Sequence, residues 1–390
     1  MAAHAAPPAG RHEGASVFEA CALQALFDAL GARGYRVVGP TIREGAIVYG
    51  DVTRLADLPV GWTDVHEPGR YRLARRTDDA YFGYVVGPTS LKRFLFPPEE
   101  RIWEAHRDGK TFSIRELPAD APKTAFLGVR ACELAALGIT DRVFTGGAVR
   151  DERYAARRDA AVIVAVNCAE ARGTCFCVSM GTGPKARAGY DVALTELLDT
   201  NRHDFLAEAG SEAGAELLAA LERRPATQAD LAAASEASSR AAAQMGRRLD
   251  TSTVKERLQA NPNDPRWDDV AARCLSCGNC TMVCPTCFCS TIEDATDLRD
   301  TVAERTRKWD SCFTMDFSYL HGGSVRDETR TRYRQWLTHK FATWVDQFGT
   351  SGCVGCGRCI TWCPVGIDVT VEAAAVGAGG QRNEVNDGHD

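Results

Sequence analysis

The sequence predicts an α+β protein of more than one domain, with an α/β domain first and a mainly helical domain after it. Its 390 residues suit two or three domains. Two apolar runs, Thr124–Val129 and Ala161–Val166, have the length and composition of buried parallel strands. Much later, apolar residues recur at intervals of three and four up to Gly349, which predicts one long amphipathic helix. These residues are Tyr333, Trp336, Leu337, Phe341, Trp344, Val345 and Phe348.

The first element is predicted to be a helix. Ser16 and Glu19 fit a capping box, and apolar residues continue at helical spacing as far as Gly31. On this pattern Cys21 lies on the apolar stripe, so we expect it to be a buried core thiol.

Strands are predicted after that helix. Residues 35–38 and 46–52 have strand composition, and the Gly-Pro pair at 39–40 is expected to form the turn between them. Residues 81–88 are expected to form a further strand, which runs into an apolar loop stiffened by two prolines. A helical pattern follows the strand at Thr124–Val129.

Two runs of one cysteine pattern, C-x2-C-x2-C-x3-C-P, mark the C-terminal part. A [4Fe–4S] cluster needs four converging thiolates, and this spacing is the bacterial [4Fe–4S] pattern, in which the fourth cysteine of each run binds the other cluster. The sequence therefore predicts two [4Fe–4S] clusters held crosswise. One set of ligands is Cys274, Cys277, Cys280 and Cys363, and the other is Cys353, Cys356, Cys359 and Cys284.

Zinc is the alternative metal for these runs, because it also takes four thiolate ligands from paired C-x2-C arrangements. Two copies of the same four-cysteine run, each followed by a proline (Pro285 and Pro364), favour iron–sulfur clusters over zinc.

Four other cysteines follow the two predicted buried strands. Cys132 comes after the first strand, and Cys168, Cys175 and Cys177 come after the second. The carboxyl ends of parallel strands meet at one edge of a sheet, so these thiols are candidate ligands of a third [4Fe–4S] cluster. Their irregular spacing leaves two alternatives open, which are buried or redox-sensitive thiols and a structural zinc site.

Three more cysteines lie close to the first run. Cys287, Cys289 and Cys312 have no clear fourth partner, which favours structural roles. The alternative is that they hold an additional cluster that reduces a substrate.

Motifs of nucleotide binding and catalysis are missing. Residues 181–186 match G-x-G-x-x-G/A, but they follow a cysteine loop and contain Pro184, so we do not predict a nucleotide site there. The sequence has no HExxH, Walker A or G-x-S-x-G pattern. We therefore predict no catalytic residue.

Composition narrows the class of protein further. The apolar fraction of 45% is that of a globular protein, and the net charge of −6 argues against nucleic acid as a partner. Residues 1–14 lack the apolar region of a signal peptide, and no run approaches 18 apolar residues. Cysteines in ligand spacing then indicate metal sites in a reducing, cytoplasmic compartment, with no membrane span.

These signals divide the chain into five parts. Residues 1–14 and 377–390 are expected to be disordered tails. Residues 15–205 form the predicted α/β domain with the possible third cluster, and residues 206–262 a helical connector. Residues 263–376 form the domain of the two clusters, and the helices predicted between its cysteine runs indicate an α-helical-ferredoxin-like fold.

The motifs resemble a known family. Residues 274–289, 308–312, 339–341 and 353–364 are similar to the iron–sulfur beta subunit of cytosolic [NiFe] hydrogenases (sulfhydrogenases), and also to the corresponding iron–sulfur subunit of anaerobic sulfite reductase. In the N-terminal half, residues 94–98, 128–133 and 175–184 match the same family. The resemblance covers most of residues 16–370.

The resemblance implies a role in a complex. Such a protein passes electrons between a flavin subunit that oxidises NAD(P)H and a catalytic subunit, here a NiFe hydrogenase or a sulfite reductase. It would be a non-catalytic electron-transfer subunit of a hetero-oligomer. The alternative from the residues is an enzyme subunit that reduces substrate on Cys287, Cys289 and Cys312.

Overall fold

The computed structural model describes residues 14–378. The tails predicted at 1–14 and 377–390 lie outside the described residues, apart from Gly14, Gly377 and Ala378. In chain order the strands are β1 (Ser16–Glu19), β2 (Arg36–Arg43), β3 (Ala46–Asp51), β4 (Trp62–Glu67), β5 (Arg70–Arg75), β6 (Glu99–Asp108), β7 (Thr111–Glu116), β8 (Thr124–Val129), β9 (Ala161–Val166), β10 (Val192–Asp199), β11 (Arg202–Ala209), β12 (Arg224–Pro225), β13 (Ser290–Thr296), β14 (Val302–Trp309), β15 (Tyr319–Leu320) and β16 (Gly323–Ser324).

Helices fill the spaces between these strands. They are α1 (Leu23–Ala32), α2 (Lys92–Leu95), α3 (Ala131–Thr145), α4 (Glu152–Asp159), α5 (Glu212–Ala219), α6 (Gln228–Ala243), α7 (Val254–Ala260), α8 (Arg266–Arg273), α9 (Asn279–Met282), α10 (Thr329–Thr338), α11 (Trp344–Phe348), α12 (Arg358–Thr361) and α13 (Val369–Ala375). A π-helical segment, His339–Thr343, joins α10 to α11. Within residues 14–378, no helix is long and apolar enough to cross a membrane.

An eight-stranded sheet carries the N-terminal half, in the order β12-β1-β11-β10-β9-β8-β2-β3. The four strands β2, β8, β9 and β10 run parallel, and antiparallel strands extend the sheet on both sides. The strands predicted at Thr124–Val129 and Ala161–Val166 are β8 and β9, with the predicted bounds. The predicted mixture of helices and strands is therefore confirmed.

Both faces of the sheet are covered. Val37 and Val164 pack on one face with helices α1 and α5, whereas the adjacent residues Val38 and Ala165 pack on the other face with α3 and α4. Because successive side chains of a strand point to opposite faces, a strand buried on both sides needs an uninterrupted apolar run. All six residues of β8 are buried, as this requires.

The segment from 206 to 262 contains helices α5, α6 and α7 and also the short strand β12. Helix α6 packs against the sheet through Ala234, which shares an apolar cluster with Leu197 of β10 and Leu206 of β11. Helices α5 and α6 thus cover the sheet on its two faces, and α7 packs on the C-terminal helices.

A second sheet joins the two halves of the chain, in the order β13-β14-β6-β7. Strand β6 of the N-terminal half pairs antiparallel with β14 of the C-terminal half. Helices lie between the two cysteine runs, as predicted, but the β13–β14 hairpin also lies there and was not predicted. Its strands are held by cross-strand ion pairs such as Arg305–Asp294, at 2.6 Å, so they lack the apolar alternation that would have indicated a strand.

The long C-terminal helix is present as predicted. It runs through α10, the π-helical segment and α11, and ends at Gly349, whose φ of +68° suits glycine at a helix end. Trp336 and Phe341 on this helix pack against Trp267 of α8, which is fully buried.

The helix predicted from Ser16 is wrong. Residues Ser16–Glu19 are strand β1, which pairs antiparallel with β11, and α1 begins only at Leu23. Cys21 is exposed, contrary to the prediction of a core thiol. Burial of Val17 and Phe18 between β11 and its helices outweighs the local capping pattern.

The turn predicted at 39–40 is also wrong, because both residues lie within β2. The turn is formed by Glu44 and Gly45, both with positive φ (50° and 75°), as a two-residue hairpin requires. Residues 81–91 form no strand. Arginine side chains bind their carbonyl groups in place of a neighbouring strand, as when Arg130 donates to Phe82 O at 2.9 Å.

Candidate iron–sulfur sites

The two cysteine runs fold in the same way. In each run the loop of the first two cysteines leads to a glycine in the left-handed region, Gly278 (φ 71°) or Gly357 (φ 75°). A one-turn helix then follows, α9 in the first run and α12 in the second. Asn279 of the first run donates a hydrogen bond to the carbonyl of Trp362 in the second. The repeated sequence thus gives a repeated, mutually braced local structure.

Five cysteines line a first cavity. They are Cys274, Cys277, Cys280, Cys359 and Cys363, and all of them except Cys359 belong to one ligand set predicted from the sequence. Backbone amides face the sulfur atoms here, since Ser276 N donates to Cys274 Sγ at 3.4 Å and Ile367 N donates to Cys363 Sγ at 3.3 Å. The remaining wall is apolar and aromatic, and it has no charged side chain. Leu275 and Cys277 are exposed, so this cavity lies at the surface.

Four cysteines line a second cavity. They are Cys284, Cys353, Cys356 and Cys359. Gly355 N donates to Cys353 Sγ at 3.4 Å. The wall also includes Phe176 from the N-terminal half and two basic side chains, Lys340 and Arg358. Cys359 lines both cavities, so the two lie side by side.

The structure thus brings the fourth cysteine of each run to the cavity of the other run. Cys284 stands with the second run, and Cys363 stands with the first. Among residues 14–378, no three His, Cys, Asp or Glu side chains converge closely enough to hold a single metal ion. Each set of thiols surrounds a space instead of a point, and no carboxylate or imidazole lines either cavity.

This donor set fits an iron–sulfur cluster, because soft thiolate ligands without oxygen donors favour that chemistry over hard cations. Burial raises the pKa of Cys280 and of Cys359 well above the usual range, and it raises the pKa of Cys353 to about 12. The thiols would therefore have to lose protons when a metal centre binds, as metal ligation by cysteine requires.

Lys340 lies next to Cys284, the one thiol of the second cavity whose pKa is lowered instead of raised. Its Nζ donates to Cys284 Sγ at 3.3 Å, and the thiol of Cys287 and this ammonium hold the pKa of Cys284 well below its usual range. Burial alone would lower the pKa of Lys340, but the neighbouring thiol groups raise it well above the usual value. Within the second cavity, the surroundings of Cys284 thus favour its thiolate form.

The second run is fixed to the N-terminal half. Phe176 N donates to Gly355 O at 2.9 Å, and Thr182 Oγ1 donates to Val354 O at 2.6 Å. Gly357 lies against Thr174, where a Cβ would stand 2.3 Å from the carbonyl oxygen. Only glycine fits there, so this contact explains the residue as well as its positive φ.

The four N-terminal cysteines gather beside this contact. Cys132 and Cys177 are buried in one apolar cluster, against which Cys356 of the second cavity packs. Cys175 is buried in a neighbouring cluster, and Cys168 is half-buried, with Arg130 Nη1 4.0 Å from its sulfur. The structure thus brings these residues near one another and near the second cavity. The third cluster remains a prediction.

The three further cysteines lie along the first run. Cys287 is beside Cys284, and Lys92 Nζ donates to the carbonyl oxygen of Cys287 at 3.1 Å. The thiol of Cys312 lies beside Cys289 and, with Lys340, lowers the pKa of Cys289 to about 7. Cys287 is thus paired with Cys284 of the first run, and Cys289 is paired with Cys312.

Sequence reasoning missed the buried charged residues of the site. Lys340, Lys92, Arg358 and Glu133 all have side chains that are less than 8% exposed. One signal was present, because Lys340 interrupts the apolar stripe of the long helix next to Phe341. A charged residue of this kind is rarely buried without a partner.

Comparisons with known proteins agree with this geometry. A protein-family model described as a 4Fe-4S dicluster domain matches residues 273–367. Sulfhydrogenase 2 subunit beta of Pyrococcus furiosus is 30% identical over 306 residues, which are 77% of this chain and 86% of that protein. No solved structure gives a significant match.

The two cysteine-lined cavities and the dicluster match define an iron–sulfur protein of the [4Fe–4S] type. Within that class, the chain belongs to the family of sulfhydrogenase beta subunits. The family suggested by the sequence motifs is therefore confirmed.

Proposed function

We propose that this chain is an electron-transfer subunit that relays electrons through two [4Fe–4S] clusters held in the two cavities. The observation that carries the proposal is the shared wall of the cavities, because Cys359 and Trp336 line both. A bound [4Fe–4S] cluster would supply one-electron redox chemistry. Two such sites in contact suit a relay better than a structural role.

The proposed ligands are the crosswise sets. Cys274, Cys277, Cys280 and Cys363 would hold one cluster, and Cys284, Cys353, Cys356 and Cys359 the other. Backbone amides that donate to Cys274, Cys353 and Cys363 would offset part of the negative charge of the thiolates.

The cavities suggest an order for the relay. The first is open to solvent at Cys277, and the second is covered by the N-terminal half, with Cys356 packed against Cys132 and Cys177. A third cluster on the N-terminal cysteines would extend this row. Electrons would then enter at one end and leave at the other.

The proposed partners are a flavin subunit that oxidises NAD(P)H and a catalytic NiFe hydrogenase subunit. The relative from Pyrococcus furiosus is part of a sulfhydrogenase by name, which favours hydrogenase over sulfite reductase. The sequence offers no convincing nucleotide-binding fingerprint, so electrons would have to come from another subunit.

Cluster content is the first test. The full chain, reconstituted without oxygen, should hold about eight iron and eight sulfide per chain for two clusters, or about twelve of each with a third. Cys359→Ser should lower the iron content, whereas Cys21→Ser, at an exposed cysteine outside both cavities, should leave it unchanged. About four iron per chain, or stoichiometric zinc, would overturn the proposal.

The relay itself is tested in the assembled complex. Cys359→Ser should abolish hydrogen oxidation coupled to NAD(P)+ while an artificial acceptor that reacts at the catalytic subunit still supports turnover. Coupled activity that survives in a complex lacking the affected cluster would show that electrons take another route.

A further inference from the structure

Lys340 is a buried lysine at the second cavity, with a side chain only 4% exposed. Its Nζ donates to Cys284 Sγ at 3.3 Å, to Thr286 Oγ1 at 2.8 Å and to Gly352 O at 3.0 Å. An ammonium group has three donors, and all three are used. The side chain is therefore held in one position, with one donor on sulfur.

The backbone around Lys340 supports this position. The residue lies in the π-helical segment His339–Thr343, and such segments are rare and often occur at functional sites. Its own carbonyl oxygen accepts hydrogen bonds from Gly352 N at 2.8 Å and from Ser351 Oγ at 3.1 Å. Lys340 thus joins the exit of the first cysteine run to the entry of the second.

In the part of the chain that the structure describes, the charge of Lys340 faces sulfur and not a carboxylate. Among residues 14–378, Lys340 forms no ion pair with an aspartate or a glutamate, although a buried ammonium is costly without a negative partner. The first cavity has no charged side chain in its wall, so the two sites differ in this respect. The negative partner of Lys340 is therefore the sulfur site itself.

We propose that Lys340 is a positioning residue that stabilises the reduced state of the centre held by the second cavity and so raises its reduction potential. The inference rests on the proposed function. Adding one electron makes the centre one unit more negative, so a fixed cation that donates a hydrogen bond to a ligand sulfur favours the reduced state. The electron comes from the donor subunit of the proposed relay, or from the added chemical reductant in a titration, and no proton is transferred in this step.

The test is a potentiometric titration of the full reconstituted chain, followed by low-temperature spin resonance. Lys340→Met should lower the equilibrium constant for reduction of one centre about tenfold, which is about 59 mV for a one-electron couple. Lys340→Gln, which is also neutral, should shift the reduction potential of the same centre in the same direction. This variant tests the inference if Lys340→Met does not fold. Lys340→Arg keeps the positive charge, so the reduction potential of this centre should stay close to the wild-type value.

Lys92 provides a matched control. It is also buried beside the first run, but its Nζ donates to carbonyl oxygens, those of Thr281, Met282 and Cys287, and lies 3.9 Å from the centre of the Trp309 ring. Lys92→Met should therefore shift the potential of the same centre clearly less than Lys340→Met does.

Two outcomes would overturn the inference. The first is that both centres keep their wild-type reduction potentials in Lys340→Met and in Lys340→Gln. The second is that Lys92→Met shifts the potential of the same centre as much as Lys340→Met does. A wild-type chain that shows fewer than two centres would instead contradict the proposed function, so the two failures are distinguishable.

Discussion

Glu133 and Arg358 form a fully buried ion pair, with 2.6 Å between the carboxylate Oε2 and the guanidinium Nη2 and side chains that are 1% and 0% exposed. Arg358 lies between the second and third cysteines of the second run, and Glu133 lies in the first turn of α3. Arg358 Nε also donates to Gly87 O at 2.8 Å, and Leu91 N donates to Glu133 Oε1 at 2.8 Å. The pair therefore fixes one wall of the second cavity to helix α3 and to residues 87–91 of the N-terminal half.

Removing one partner of this pair should destabilise the protein. Glu133→Ala leaves the Arg358 guanidinium buried without a counter-charge, which typically costs about 3–5 kcal/mol. The midpoint of urea unfolding of the full chain should fall accordingly. Glu236→Ala, at an exposed residue paired only with Arg240, should change stability by less than about 1 kcal/mol.

The double variant checks the cause. Glu133→Gln with Arg358→Met removes both charges, so it should lose less stability than Glu133→Gln alone. If the double variant is as unstable as the sum of both single variants, the ion pair does not act as a unit.

Stability should depend on pH through Asp64. Burial would raise the pKa of this carboxyl group, but its hydrogen bond with His66, at 3.0 Å, and the nearby Arg172 guanidinium lower the pKa below its usual value. The unfolded chain therefore takes up the proton first as the pH falls. The contribution of Asp64 is complete above the unfolded value of about 3.9, and it is lost as the pH falls through the lower, folded value.

Asp64→Asn tests this dependence. We expect it to lower the urea midpoint at pH 7 and to reduce the further loss of stability that the wild type shows in acid. Equal slopes against pH for the variant and the wild type would exclude Asp64 as the source. His66 Nδ1 lies 3.4 Å from Thr361 Oγ1, so the same variant should also loosen the helix α12 of the second run.

A separate prediction concerns the proposed third cluster. If Cys132, Cys168, Cys175 and Cys177 bind a [4Fe–4S] cluster, Cys175→Ser in the full chain should remove about four iron and one spin resonance signal. The two signals of the C-terminal sites should remain. A wild-type chain that contains only about eight iron would show that these cysteines are structural thiols or a zinc site instead, as would a Cys175→Ser chain with unchanged iron content.

The exposed rim of the first cavity should be a contact with a partner subunit. Leu275 is 63% exposed and Val365 is 41% exposed, and both line this cavity. Leu275→Asp should weaken assembly with the partner at least tenfold and leave the iron content unchanged, because apolar groups exposed at a redox site suit a protein interface. Leu298→Asp, at an exposed leucine away from the cavity, is the control. Equal affinity for both variants would contradict the prediction.

The meeting of each cysteine run with the fourth cysteine of the other run was predictable, because cluster chemistry sets the spacing of the cysteines, whatever the rest of the chain does. The strands β8 and β9 were predictable for a similar reason, since burial on both faces leaves only apolar residues. Arg358 and Lys340 were not, because a basic residue is exposed by default and becomes buried only through contacts made by Glu133 or Cys284, which are distant in sequence. The error at Ser16 has the same origin, since its partner strand β11 lies almost 200 residues later.

The pairing of β6 with β14 also has a consequence for how the chain is made. His106 is opposite Val302, so strand β6 leaves the ribosome about 200 residues before its partner. At about 5–20 residues per second, the edge of β6 would stay open for roughly ten seconds or more during synthesis. An open edge can pair with the edge of another chain. We therefore expect the nascent chain to need a chaperone more than a chain of separately folding domains would.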